Sequence, residues 1–108
     1  MKDDRLYLIH IHECIERIES YVGGKNKQEF IDSTLIQDAV IRNLQVLAES
    51  TQRLSDETRE KESGIDWFKI AGLRNVLVHD YLGIDIERVW NILDKELHAL
   101  KNAIEKML

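Results

Sequence analysis

One stretch of this chain carries more chemical functionality than packing requires. Arg74-Asn75-Val76-Leu77-Val78-His79-Asp80-Tyr81 sets a fixed cation, an amide, an imidazole that titrates near neutrality and a phenol among aliphatic residues. These groups suit a phosphodiester. A guanidinium holds two phosphate oxygens and offsets charge in the transition state. Histidine takes a proton from an attacking hydroxyl or gives one to a leaving oxygen, and Asn75 can hydrogen-bond the imidazole or the substrate. RNA carries its own nucleophile in the 2′-OH, so such a site needs no metal. None is expected, because His10-Ile11-His12 puts its imidazoles on different helix faces and no carboxylate pair has ligand spacing.

The spacing is informative. On a helix Arg74 and Val78 share a face, as do Asn75 and His79. Arg74 and His79 are five apart, roughly 140° around the axis. They can converge if the helix unwinds near His79, or if two copies meet and build a composite site at a homodimer interface. Simpler roles stand beside this. A histidine near a helix C-terminus is favoured by the dipole, Arg74 can pair with Asp66 or Asp80, and Tyr81 can be a core aromatic with a wet hydroxyl.

The elements that must position these residues read as helices. There is no proline in 108 residues, and the apolar spacing follows the 3.6-residue period. Tyr7, Ile11, Cys14, Ile18 and Tyr21 mark the first helix, with Asp3 or Asp4 able to cap its start and Gly23-Gly24 to end it. After a polar link, Lys25 to Glu29, Asp32-Ser33-Thr34 offers an N-cap, and Thr34 with Gln37 reads as a capping box. The stripe Ile36, Val40, Leu44, Leu47, Thr51, Leu54 follows. Ser55 to Glu62 either extends that helix or forms the loop after it. Ser63 with Asp66 opens a short third helix through Trp67, Ile70, Ala71, Arg74, Val78 and Tyr81, with Gly83 at its exit. Asp85 caps the last, which runs through Ile86, Val89, Leu93, Leu97, Leu100, Ile104 and Met107. The predicted architecture is all-α, an antiparallel four-helix bundle with a short third helix, forming a single domain over 1–108. Trp90 falls beside the last stripe, either as an interface aromatic or at the edge of the core.

Composition excludes several classes. One cysteine, Cys14, rules out a disulfide framework. No apolar run approaches a membrane span and the acidic Met1-Lys2-Asp3-Asp4 lacks a signal core, so a cytoplasmic location and no membrane association are expected. The net charge of −5 argues against a broad basic surface for nucleic acid, though not against a local cationic site.

Arg74-x-x-x-x-His79-x-Tyr81 on the third helix of such a bundle resembles the HEPN superfamily, and more narrowly the HepT group of bacterial and archaeal toxins. The resemblance covers essentially the whole chain. It includes the early helix with Leu8, Ile11, Cys14 and Ile18, the Phe30 link, Leu35-Ile36-Gln37-Asp38-Ala39-Val40-Ile41-Arg42-Asn43-Leu44, and Trp67-Phe68-x-Ile70-Ala71-Gly72-x-Arg74-Asn75. The resemblance implies the toxin of a HepT/MntA toxin–antitoxin system, a metal-independent endoribonuclease acting on RNA without a cofactor from a site shared across a homodimer. Arg74, Asn75 and His79 match the catalytic positions. Tyr81 matches the tyrosine to which a nucleotidyltransferase antitoxin of the MntA type transfers AMP from ATP, silencing the toxin. Some similar bundles belong to a second class, non-enzymatic nucleotide- or partner-binding subunits of minimal nucleotidyltransferases.

Overall fold

The computed structural model describes residues 4–79 and 85–108, and of residues 74–79 the backbone alone. The Asp80, Tyr81 and Gly83 assignments, and Asp3 as a cap, therefore lie outside the described residues.

Every described element is helical: α1 (Asp4–Val22), α2 (Lys27–Ile31), α3 (Thr34–Gln52), α4 (Asp56–Glu60), α5 (Trp67–His79), α6 (Ile86–Lys95) and α7 (Leu97–Met107). Four limbs carry the bundle, namely α1, α3, α5 and the α6–α7 pair. Their antiparallel course is visible in cross-links between distant residues. Asp4, at the start of α1, accepts hydrogen bonds from the Ser55 backbone N–H and from the Ser55 and Thr58 hydroxyls beyond the end of α3. Gln52, at the end of α3, donates to the Ala71 carbonyl early in α5 (3.0 Å). Along the α1–α7 seam His12 meets Glu105 at 3.0 Å and Glu19 meets Lys101 at 2.8 Å, so rising numbers on one helix face falling numbers on the other.

The α1 stripe forms as the sequence predicts. Leu8, Ile11, Cys14, Ile15 and Ile18 are buried, with Tyr7 and Tyr21 at the edges. Two glycines end the helix for different reasons. Gly24 has φ +76, in the left-handed region that glycine enters freely. A Cβ on Gly23 would lie 2.9 Å from the Glu19 carbonyl oxygen.

The polar link is itself a helix. Asn26 and Glu29 form a reciprocal capping box for α2 (2.9 and 3.0 Å), and the turn delivers Phe30 into the core, fully buried. The Phe30 ring lies 5.5 Å from that of Trp90, tilted by 39°. Trp90 is thus an aromatic at the edge of the core.

Of the three candidates Asp32, Ser33 and Thr34, Ser33 caps α3, accepting from the Ile36 N–H at 3.2 Å. The Gln37 side chain does not close a capping box. It is buried and donates to the Phe30 (3.0 Å) and Ile31 (2.8 Å) carbonyls at the end of α2. The free carbonyls of a helix end need partners; the amide reaching back across the 32–33 turn supplies one for Ile31 and joins the Ser33 N–H on Phe30. Ser55 then caps α4, a separate helical turn, so Ser55–Glu62 is neither a continuation of α3 nor a plain loop.

Asp66, rather than Ser63, closes the first turn of α5, accepting from the Lys69 N–H at 3.0 Å. Trp67 anchors this corner by donating its indole N–H to the Arg59 and Glu62 carbonyls. Asp85 caps α6 as predicted, accepting from the Glu87 and Arg88 N–H groups. The last predicted helix divides at Glu96, where φ is −113 and ψ −30. The break disturbs one residue and leaves the backbone right-handed, so the apolar stripe runs through it and the periodicity conceals it. A single core joins α1, α2, α3, α5, α6 and α7. Among the described residues no helix is long and apolar enough to cross a membrane.

Candidate functional site

Arg74, Asn75 and His79 lie on the last two turns of α5, and His79 is its final helical residue. The backbone is regular α-helix from Trp67 to His79, so no unwinding precedes His79. Position 74 continues the line of Trp67 and Ile70, and Ile70 faces the core. Positions 75 and 79 continue the line of Phe68 and Gly72. Along a regular helix the two lines stay apart, and Arg74 and His79 are separated by roughly 7.5 Å of rise and 140° of turn. Tyr81 lies outside the described residues.

The composition of α5 is unusual for a helix at a bundle's surface. Trp67, Phe68, Ile70, Ala71, Leu73, Val76, Leu77 and Val78 make it apolar nearly all round, a pattern found in helices covered on every side. Its inner line is covered: Ile70 and Leu73 are buried. Its outer line is open at Phe68 and Gly72. Phe68 is 91% exposed, and one turn on, a Cβ at Gly72 would meet nothing within 4 Å. Sequence reading placed Phe68 and Gly72 in a characteristic block but missed the exposure of Phe68, which depends on which face of α5 meets α3.

Beside α5 runs a groove of about 180 Å³ against α6. Leu73 and Ile92 line it, with Arg88, Asn91 and Lys95 from α6 and the Lys69–Glu96 ion pair at its end. Arg88, Asn91 and Lys95 recur at helical steps of 3 and 4 and are exposed. They escaped the sequence reading because nothing in their local pattern separates them from an ordinary solvated face.

Among the described residues, the ionisable groups with displaced pKa values lie on the α1 and α7 side of the bundle. Burial pushes the Cys14 thiol up. The hydrogen bond from His12 holds Glu105 below its ordinary value, and the bond to Glu19 raises Lys101. Among the described residues no three His, Cys, Asp or Glu side chains gather to hold a metal ion.

Comparison with known proteins adds ancestry to this geometry. Residues 11–107 match the family described as ribonuclease HepT-like. A Methanocaldococcus jannaschii protein named "Gamma-glutamylcyclotransferase and putative RNase" is 38% identical over 99% of this chain, which spans 48% of that relative's length. The "Probable ribonuclease HepT" of Thermococcus cleftensis is 30% identical over 94% of this chain and 92% of its own length. The "mRNA nuclease HepT" of Shewanella oneidensis is 28% identical over 88% of each. No solved structure gives a significant match.

Proposed function

Because the chain belongs to the HepT-like ribonuclease family, we propose that it is an endoribonuclease toxin. In this reading two copies of α5 share each active site, and a nucleotidyltransferase antitoxin controls it through Tyr81. The observation that carries the reading is the complete set Arg74, Asn75, His79 and Tyr81 within the matched span.

The chemistry proceeds without a metal. His79 accepts the proton of a ribose 2′-OH as that oxygen attacks the adjacent phosphorus. The bond from phosphorus to the 5′-oxygen breaks, and a proton delivered to that oxygen completes the leaving hydroxyl. The strand left behind ends in a 2′,3′-cyclic phosphate. Arg74 offsets the charge gathering on the phosphoryl oxygens, and Asn75 orients the imidazole or the substrate. The divergence of positions 74 and 79 on a regular helix favours pairing Arg74 of one copy with His79 of the other. The exposed Phe68 and open Gly72 support a partner helix against the outer line of α5.

Control by the antitoxin is a transfer of AMP. The Tyr81 oxygen bonds to the α-phosphorus of ATP, the α–β bridge breaks, and pyrophosphate leaves with the phenol proton released. The added phosphate places negative charge two residues from His79, where it can occupy the substrate-phosphate site and pair with Arg74.

The test has two arms. The chain expressed alone arrests growth and, purified, cuts RNA to cyclic-phosphate ends. Coexpressed with its genomic neighbour, its intact mass rises by one or more AMP units, and Tyr81→Phe abolishes the gain. Binding of nucleotide or partner with no RNA turnover by the unmodified chain would replace this reading with a non-enzymatic subunit.

A further inference from the structure

The groove between α5 and α6 has no evident structural reason for its charges. Arg88 sits in the first turn of α6, the end of a helix that disfavours a cation. Among the described residues no carboxylate pairs with Arg88 or with Lys95. The one anion lining the groove, Glu96, is held by Lys69. Among the described residues two cations therefore stand without an ion-pair partner along one line of α6, on a chain whose net charge is −5. They are seven residues apart, about 10 Å along the axis, with the Asn91 amide between them. The groove also has an apolar side, because Leu73 and Ile92 line it. Leu73 immediately precedes Arg74 on α5, so the groove runs up to the proposed catalytic turn.

Resting on the endoribonuclease reading, we infer that this groove is the track for single-stranded RNA flanking the cleaved bond. Arg88 and Lys95 hold two backbone phosphates, and Leu73 and Ile92 offer apolar surface to a base or sugar. Asn91 presents a donor and an acceptor to a base edge. The track reconciles an acidic protein with a polyanionic substrate. Binding is confined to one cationic line, and the rest of the acidic surface repels the strand.

A 2′-O-methyl oligoribonucleotide of mixed sequence, which lacks the attacking hydroxyl, measures binding to the intact, unmodified chain without cleavage. The double variant Arg88→Gln, Lys95→Gln is expected to weaken binding roughly ten-fold or more at low salt. The slope of log affinity against log salt should shrink by about 1.4, two phosphate contacts at about 0.7 each. Arg17→Gln, on α1 and outside the groove, should leave both nearly unchanged. Circular dichroism and the thermal midpoint verify the fold of each variant.

A double variant that binds with the affinity and slope of the Arg17→Gln control overturns the track while leaving the endoribonuclease reading intact. Loss of antitoxin binding with RNA binding retained overturns it in favour of a protein contact. Wild-type chain that neither binds the oligonucleotide nor cuts RNA overturns the track together with the function beneath it.

Discussion

Single side chains carry two separable kinds of consequence here. At the proposed site, Arg74→Ala and His79→Ala should each lower RNA cleavage by roughly 10²–10⁴-fold, the usual reach of a positioned acid–base or electrostatic group. Helicity should be unchanged. Cleavage surviving in both variants would remove these residues from the chemistry. Gln37 is the structural counterpart. Its amide donates to two carbonyls at the end of α2, of which the Phe30 carbonyl also accepts from the Ser33 N–H, so Gln37→Leu should cost about 1–3 kcal/mol chiefly by stripping the Ile31 carbonyl of its donor, readable in a urea titration, while catalysis by the folded fraction persists. A variant as stable as wild type would show that water reaches the Ile31 carbonyl.

At the scale of elements, two contacts between helices make testable demands. Among the described residues Phe30 is the largest fully buried side chain, and it lies against Trp90, coupling the five-residue α2 to α6. Phe30→Ala should destabilise the fold by about 3–5 kcal/mol. The same denaturation measurement should find Trp90→Phe milder, because an aromatic partner remains. The α1–α7 seam gives a dependence on pH. Glu105 has a folded pKa below its unfolded value, so its contribution is present above about pH 4.3 and is lost as pH falls through the folded value. Lys101 has a raised folded pKa, so its contribution is present below about pH 10.4 and is lost as pH rises through the higher folded value. Thermal midpoints of Glu105→Gln and wild type should differ at neutrality and converge in acid. Those of Lys101→Met and wild type should converge in alkali. A gap independent of pH would assign these residues to packing alone.

For the whole molecule, the central claim is that the site spans two copies. If Arg74 comes from one and His79 from the other, mixing inactive Arg74→Ala with inactive His79→Ala rebuilds one intact site in each mixed dimer. Equal mixing should then recover roughly one quarter of wild-type cleavage, half the dimers being mixed with one of two sites whole. Sites built within one chain would recover none. Phe68→Asp should hinder the same assembly, lowering both the recovered activity and the dimeric fraction in sedimentation.

Much of this protein was already legible along the chain. Period and caps predicted four helical limbs, because an amphipathic stripe and a capping side chain act over a few residues. The proposed reactive set could be picked out because Arg74, Asn75, His79 and Tyr81 occupy one stretch, where residue type and spacing suffice to suggest it. Tertiary structure decided what depended on residues far apart in sequence. It turned Gln37 from a capping partner into the seal of α2 and seated Trp90 on Phe30 in the core. It also left Phe68 uncovered and brought Arg88 and Lys95 alongside Leu73. No local period encodes these, since each depends on which face of a helix a distant helix covers.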